Sequence, residues 1–166
     1  MDRNSSAHYV EPSVPDSINA TLDLISYIRA LPQPRLVEPV LTPRFAISCS
    51  GTLLQELGKI ALADPSLPIQ THISENRNEV QRTLELFPEA TSYADVYDKH
   101  GLLGPRTILA HAIHLEETEF TLVKARGAGV SHCPTSNFNL RSGVCPVGEL
   151  IDRGIKVISF TLPTCR

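Results

Sequence analysis

The sequence has no long apolar run, no cluster of basic residues and no closely spaced cysteine pair. A membrane-spanning helix needs about 20 consecutive apolar residues and a secretory leader needs an apolar core near the N-terminus, so neither is expected. The net charge is −3 and the 15 Lys and Arg residues are scattered, which argues against a nucleic-acid or membrane-surface partner. We therefore expect a cytoplasmic protein of the cytosol.

Other absences exclude further classes of protein. No Cys-x-x-Cys motif occurs among Cys49, Cys133, Cys145 and Cys165, so we expect reduced thiols in an intracellular compartment. No Gly-x-Gly-x-x-Gly motif or Walker loop is present, which disfavours a nucleotide-binding α/β domain. The Pro-Cys-x-x-Cys signature of cytidine-type zinc deaminases is also missing, and this excludes that class.

What the sequence does contain is an alternation of short apolar runs with helical periodicity, which predicts βα units and a parallel sheet. The predicted strands are 36–41, 67–73, 107–112, 129–133 and 155–160. The predicted helices are 15–31, 50–63, 75–86, 93–99, 116–126 and 146–152. A complete (β/α)8 barrel usually needs about 250 residues, and the chain has 166. We therefore predict an α/β fold that is a partial (β/α)8 TIM barrel of about five βα units.

Two histidines stand at the ends of successive predicted strands, His72 and His111. Side chains at the C-terminal ends of barrel strands converge on one mouth, where two imidazoles can share a metal ion. Glu75 follows three residues after the first histidine and is a candidate proton carrier beside metal-activated water. A hydrogen-bonded core histidine and a first-turn acid that complements the helix dipole are the simpler alternatives.

Other polar residues also lie near predicted strand ends. Arg44 could donate hydrogen bonds to a planar substrate, or form a surface ion pair. Phe45 could stack on an aromatic ring, or fill core space. His132 ends a third strand, and Asn137 is expected to shape the loop that follows it. Cys133 is a poor nucleophile candidate, because burial inside an apolar strand raises a thiol pKa.

Several sequence blocks together resemble the guanine deaminases of the amidohydrolase superfamily. The blocks are Thr-Pro-Arg-Phe at 42–45, Ser-Cys-Ser at 48–50, Thr-His-Ile-Ser-Glu-Asn at 71–76, Val-Tyr-Asp-Lys at 96–99, Ala-His at 110–111, Ser-His-Cys-Pro at 131–134 and Ser-Asn at 136–137. The resemblance runs from about residue 1 to residue 156 in the order and spacing of that family.

The resemblance implies a metal-dependent hydrolase that uses zinc to convert guanine and water to xanthine and ammonia in purine catabolism. It implies that His72 and His111 are zinc ligands, that His72 also contacts the substrate, and that Glu75 is the catalytic proton shuttle. Arg44 would bind the base. The pocket would be lined by Phe45, His132 and Asn137. The family also implies a homodimer.

Two departures from the family pattern affect this expectation. The His-x-His pair of the family's first strand has no counterpart, and Leu162 stands at or near the position of its last ligand, an aspartate. We expect residues 1–157 to form an incomplete amidohydrolase barrel domain, residues 158–166 to be a divergent tail, and the isolated chain to be inactive or nearly so. Two alternatives remain open: a cytosine, adenosine or triazine deaminase, and a silent fragment that acts only by pairing with another protein.

Overall fold

The computed structural model describes residues 1–32 and 36–159. Seven α-helices occur in these residues: α1 Val14–Arg29, α2 Gly51–Ala63, α3 Arg77–Leu86, α4 Tyr93–Lys99, α5 Glu117–Arg126, α6 Pro134–Asn139 and α7 Val147–Asp152. The four strands are β1 Ile69–Ile73, β2 Thr107–His111, β3 Gly129–His132 and β4 Lys156–Ser159. The predicted alternation of strands and helices is therefore present from residue 50 onward.

The four strands form one parallel sheet whose spatial order, β1-β2-β3-β4, is the same as their order in the chain. A doubly wound sheet reverses its strand order at a switch point, whereas a β/α barrel adds each strand beside the previous one. The sheet therefore has the arrangement of a barrel wall. One register matters for the site, because His72 on β1 lies beside Ala110 on β2.

The helices begin where short polar side chains satisfy free backbone amides. Ser50 accepts a hydrogen bond from the Leu53 amide at the start of α2. Asn76 and Glu79 form a reciprocal capping box at the start of α3, and Ser92 accepts from the Asp95 amide at the start of α4. Such caps are each worth about 1 kcal/mol, and they fix the residue at which each helix begins.

The core lies between the helices and one face of the sheet. On β1, Ile69, Thr71 and Ile73 are buried, whereas Gln70 is exposed and His72 is partly buried. The same burial pattern is seen in all five residues of β2. In a barrel the second face lines the interior, so the less buried residues identify the interior side.

The predicted strand 36–41 is the main error in the sequence-based fold. The segment makes a single parallel bridge, from Leu41 to Ile69, and Leu36 is 78% exposed. The Leu41 carbonyl accepts from the Gln70 amide, but the next contact is from the His72 amide to the Arg44 carbonyl. One extra residue therefore sits opposite β1, and Pro43, which has no N–H, interrupts the ladder there.

Two short helices were not predicted, a 3₁₀ turn at Ala46–Ser48 and α6. Both lie in connecting segments, where the residues have little apolar periodicity to signal a helix. The end of the predicted strand 155–160 and most of the predicted tail, including Leu162, lie outside the described residues. In the described part of the chain, Cys49, Cys133 and Cys145 are free thiols. No helix in that part is both long and apolar enough to span a membrane.

The close approach of α2 to the end of α4 gives a test of the packing. A Cβ at Gly58 would lie 1.9 Å from the carbonyl oxygen of His100, whereas a Cβ at Gly148 meets nothing within 4 Å. We expect Gly58→Ala to lower the free energy of unfolding by about 1–3 kcal/mol, the usual cost of overpacking. Gly148→Ala should be neutral or stabilising by up to about 1 kcal/mol. Urea titration followed by circular dichroism measures both, and equal effects would contradict the described contact.

Candidate active site

His72 is placed by the alternation of β1 and held by the segment before α2. Its Nδ1 atom lies 2.6 Å from the carbonyl oxygen of Arg44. A carbonyl oxygen only accepts, so Nδ1 carries the proton and the lone pair is on Nε2. The same carbonyl also accepts from the His72 backbone amide at 3.0 Å. Ring and backbone of His72 are thus both fixed by one oxygen atom.

His111 reaches the same place by a departure from regular strand geometry. In register it lies beside Ile73, which faces the helices, and not beside His72. Its backbone φ is +74°, in the left-handed region, and Ala112 follows at +49°. With this turn the His111 ring stacks on the His72 ring, with centroids 5.2 Å apart and planes 22° apart. A non-glycine residue in this region costs about 1–3 kcal/mol and is concentrated at functional sites.

Asn137 orients the second imidazole. Its Oδ1 atom lies 2.8 Å from Nδ1 of His111, and because an amide oxygen accepts, Nδ1 is again the protonated nitrogen. Asn137 is only 1% exposed. From the sequence we expected Asn137 to shape the loop and line the pocket; in the structure it lies on α6, with its side chain against His111. Both histidines consequently keep a lone pair on Nε2.

Glu75 follows a second left-handed residue, Ser74, whose φ is +49°. The Glu75 amide donates to Oε2 of the buried Glu79 at 3.0 Å, and the Tyr93 hydroxyl donates to the other oxygen of Glu79 at 2.7 Å. The position of the Glu75 backbone is therefore fixed by α3 and α4. Its own Oε1 atom is buried without a hydrogen-bond partner and lies 3.5 Å from Nδ1 of His111.

Arg44 and Phe45 lie at the rim beside these groups. The Phe45 ring meets the His72 ring edge-on at a centroid distance of 5.7 Å. The Arg44 guanidinium lies over the Phe45 ring, 5.1 Å from its centroid, and the Arg44 side chain is exposed. The arginine backbone thus contributes to the histidine site, while its side chain remains free to contact a ligand.

Two adjoining cavities, of about 270 and 470 Å³, are both lined by His72, His111 and Cys133. Cys133 follows β3 and is half-buried, so the expectation that it sits inside an apolar strand was wrong. His132, which we expected from the sequence to line the pocket, is not among the residues that line these two cavities. In the regular alternation of β3 it points away from the face that carries Ser131 and Cys133. It lacks the left-handed backbone that turns His111.

The residues brought together are therefore His72, His111 and Glu75, with Arg44 and Phe45 at the rim and Asn137 behind. Within residues 1–32 and 36–159, no group of three or more His, Cys, Asp or Glu side chains is arranged to hold a metal ion. We did not predict from the sequence that Cys133 lines the cavities. The alternation of β3 could have indicated this, because residues 131 and 133 fall on the interior-facing side of the strand.

The barrel-type sheet and the paired histidines agree with the comparison against protein families. Residues 12–161 match the model of the amidohydrolase family. The match covers most of the chain, and the chain belongs to this family. Its fold is accordingly part of the metal-dependent hydrolase barrel.

Individual relatives point in the same direction. A protein of Schizosaccharomyces pombe described as a probable guanine deaminase is 53% identical over 158 residues, which cover 95% of this chain and 30% of the relative. The crystal structure of guanine deaminase from C. acetobutylicum, with guanine bound, superposes with a TM-score of 0.90 at 39% identity, over 96% of this chain and 37% of the other. The chain thus spans about a third of the length of these relatives.

More distant structures share the fold alone. The atrazine chlorohydrolase TrzN from Arthrobacter aurescens, solved in complex with zinc, superposes with a TM-score of 0.84 at 24% identity. This match covers 95% of this chain and 34% of that one. Solved structures related to this fold therefore include zinc-bound enzymes.

Cys133 offers a direct probe of the cavity. Burial raises the pKa of the Cys49 thiol and raises that of Cys145 to about 11, which lowers their reactive thiolate fraction. In a Cys165→Ser background, we expect iodoacetamide to modify Cys133 before Cys49 and Cys145. Peptide mass spectrometry gives the three rates separately. Equal labelling of all three thiols would contradict the described exposure of Cys133.

Proposed function

We propose that this chain carries part of the active site of a zinc-dependent guanine deaminase, an aminohydrolase that converts guanine and water to xanthine and ammonia. The observation that carries the proposal is the stacked pair His72 and His111, both with Nδ1 protonated, beside the unpartnered carboxylate of Glu75. Purine catabolism, a cytosolic location and a homodimer belong to the proposal through family resemblance.

The donor set fits a zinc ion. Neutral imidazole nitrogen is a preferred zinc ligand, with bonds of about 2.0–2.1 Å, and two imidazoles on one tetrahedral ion have centroids roughly 5 Å apart. The described centroid distance is 5.2 Å. Histidine ligands to zinc usually donate their other N–H to a carbonyl or carboxylate oxygen. The Arg44 carbonyl and the Asn137 amide oxygen accept in this way.

A catalytic zinc typically has three or four protein ligands and one open position. His72 and His111 supply two of them, so the proposal includes further donors from outside the described residues. A zinc ion, when bound, lowers the pKa of water from about 15.7 toward 7 and makes hydroxide available at neutral pH.

Glu75 is proposed to move the protons of the reaction. Replacing the exocyclic amino group of guanine by oxygen moves both protons of the attacking water, one to a ring nitrogen and the other to the departing amine. A carboxylate beside the attacking water can accept these protons in turn, deliver the first to the ring nitrogen and deliver the second to the amine, which leaves as ammonia. Oε1 of Glu75 has no hydrogen-bond partner to satisfy instead, which supports this role.

Arg44 and Phe45 are proposed to bind the purine. The guanidinium offers a planar set of donors for a ring nitrogen or carbonyl oxygen, and it is already stacked over the Phe45 ring. Phe45 in turn contacts the His72 ring. A planar base bound by this pair would therefore lie beside the two imidazoles.

Zinc binding tests the metal half of the proposal. We expect the chain to bind one Zn²⁺ weakly, because it supplies two ligands. His72→Ala or His111→Ala should each weaken binding by at least about tenfold. Isothermal titration calorimetry measures the affinity. His8→Ala, at an exposed position, is the matched control, and an equal loss in that variant would show that binding is nonspecific.

A chimaera tests the reaction. The matching third of the S. pombe relative is replaced by this chain, and release of ammonia is measured with guanine, adenine and cytosine. We expect guanine to be the preferred substrate. We expect Glu75→Gln to lower kcat by about 10²–10⁴-fold, the usual contribution of a positioned acid or base.

The assay has two controls. Glu56→Gln changes a partly exposed carboxylate on α2 that is ion-paired with Lys59 and should leave kcat unchanged. The isolated chain, assayed with added zinc, should convert guanine at no more than a trace rate. Preference for another base would refute the substrate assignment, and full activity in Glu75→Gln would refute the proton-carrier role.

A further inference from the structure

Tyr97 has no part in the chemistry proposed above, yet its hydroxyl group lies at the junction of three segments of the site. The residue is on α4 and is 0% exposed. The Ala46 amide donates to its oxygen at 3.0 Å, and the Thr71 hydroxyl donates to it at 2.8 Å. The Tyr97 hydroxyl donates in turn to the His72 carbonyl at 2.8 Å. Every donor and acceptor position of this hydroxyl is used.

These three bonds connect the segment 44–46 with the end of β1. Backbone pairing connects them at one point only, where the His72 amide donates to the Arg44 carbonyl, because Pro43 interrupts the ladder after Leu41. The Arg44 carbonyl nevertheless has to lie 2.6 Å from Nδ1 of His72 to fix that ring. The Ala46–Tyr97 bond, two residues further along the chain, is the next hydrogen bond made by a backbone amide of this segment, and the Arg3 side chain donates to the Ala46 carbonyl at 3.3 Å.

We propose that Tyr97 is a positioning residue: its hydroxyl holds residues 44–46 against the end of β1, so that the Arg44 carbonyl fixes the tautomer and orientation of His72. The inference rests on the proposed function only for its link to zinc. Loss of the hydroxyl releases the segment, and the His72 ring then exchanges between its two neutral tautomers. Fewer rings present the Nε2 lone pair, and the Arg44–Phe45 pair loses its place beside them.

The state of the Tyr97 hydroxyl agrees with this role. Burial raises the pKa of Tyr97, so the group stays protonated and remains a donor to His72 at any physiological pH. Its ring stacks on Tyr93 at a centroid distance of 5.6 Å, which leaves the ring fixed when only the hydroxyl is removed.

The test compares the wild-type chain with Tyr97→Phe. Nitrogen-15 NMR at a pH above about 8, where histidine is neutral, reports the tautomer of His72. We expect the Nδ1–H form in the wild type and a mixture in the variant. Hydrogen exchange of the Ala46 amide should become roughly tenfold faster, as expected for one lost hydrogen bond. Zinc affinity should fall about tenfold.

Thr107→Val is the matched control. It also removes a buried hydroxyl with two hydrogen bonds, to the Leu102 carbonyl and from the Gly104 amide, but at the opposite end of β2. It should lower thermal stability to a similar extent and leave the His72 tautomer unchanged. Thr71→Val removes one partner of the Tyr97 hydroxyl, together with a longer contact of 3.4 Å to the Arg44 carbonyl, without changing the tyrosine. It gives a smaller shift in the same direction if Tyr97→Phe fails to fold.

The outcomes separate the two proposals. An unchanged His72 tautomer in both Tyr97→Phe and Thr71→Val, or an equal change in Thr107→Val, overturns the positioning role. If Tyr97→Phe shifts the His72 tautomer but the wild-type chain binds no zinc, the positioning role is supported and the proposed metal site is refuted. A tautomer shift together with weaker zinc binding supports both.

Discussion

The candidate site depends on one irregular residue, the left-handed His111. Regular alternation would direct this side chain toward the helices, beside Ile73 in the register of β1 and β2. With φ at +74° the ring instead stacks on His72. The surrounding hydrogen bonds offset the cost of this left-handed conformation. The Ala112 amide donates to the Ile73 carbonyl, and the amides of residues 113 and 114 donate to the Ser74 carbonyl. Strand pairing therefore continues through the strained residues.

Sequence periodicity predicts most of this architecture but not its key conformation. The strands at 67–73, 107–112 and 129–133 were found within two residues of their described ends, because apolar runs between helical patterns are a strong local signal. The strand prediction at 36–41 was wrong because the segment makes a single bridge, and Pro43 cannot continue the hydrogen-bond ladder. The sequence groups His132 with His111, because the histidine pattern is the same at both positions. The two histidines differ in the backbone φ angle, which is positive at His111 and not at His132. No local residue type predicts this difference.

The helices behind the sheet position the site through a few buried polar groups. Glu79 on α3 accepts hydrogen bonds from the Glu75 amide and the Tyr93 hydroxyl. The Tyr97 hydroxyl on α4 accepts one from the Ala46 amide. Buried polar groups are costly unless each is satisfied. Once satisfied, they favour one arrangement over others that would leave a donor or a carboxylate without a partner. The α3 and α4 pair thus specifies the two loops that deliver Glu75 and Arg44.

The nature of the acceptors around the imidazoles explains how the carboxylate stays available. A carboxylate is the stronger acceptor for a histidine N–H, and Oε1 of Glu75 lies only 3.5 Å from Nδ1 of His111. The amide oxygen of Asn137 is nearer, at 2.8 Å, and the Arg44 carbonyl plays the same part for His72. Neutral acceptors orient both imidazole rings, so the Glu75 carboxylate is not needed as a hydrogen-bond acceptor for either ring. The proton-carrier role that we propose for Glu75 needs a carboxylate free to accept and release a proton, whereas a structural ion pair does not.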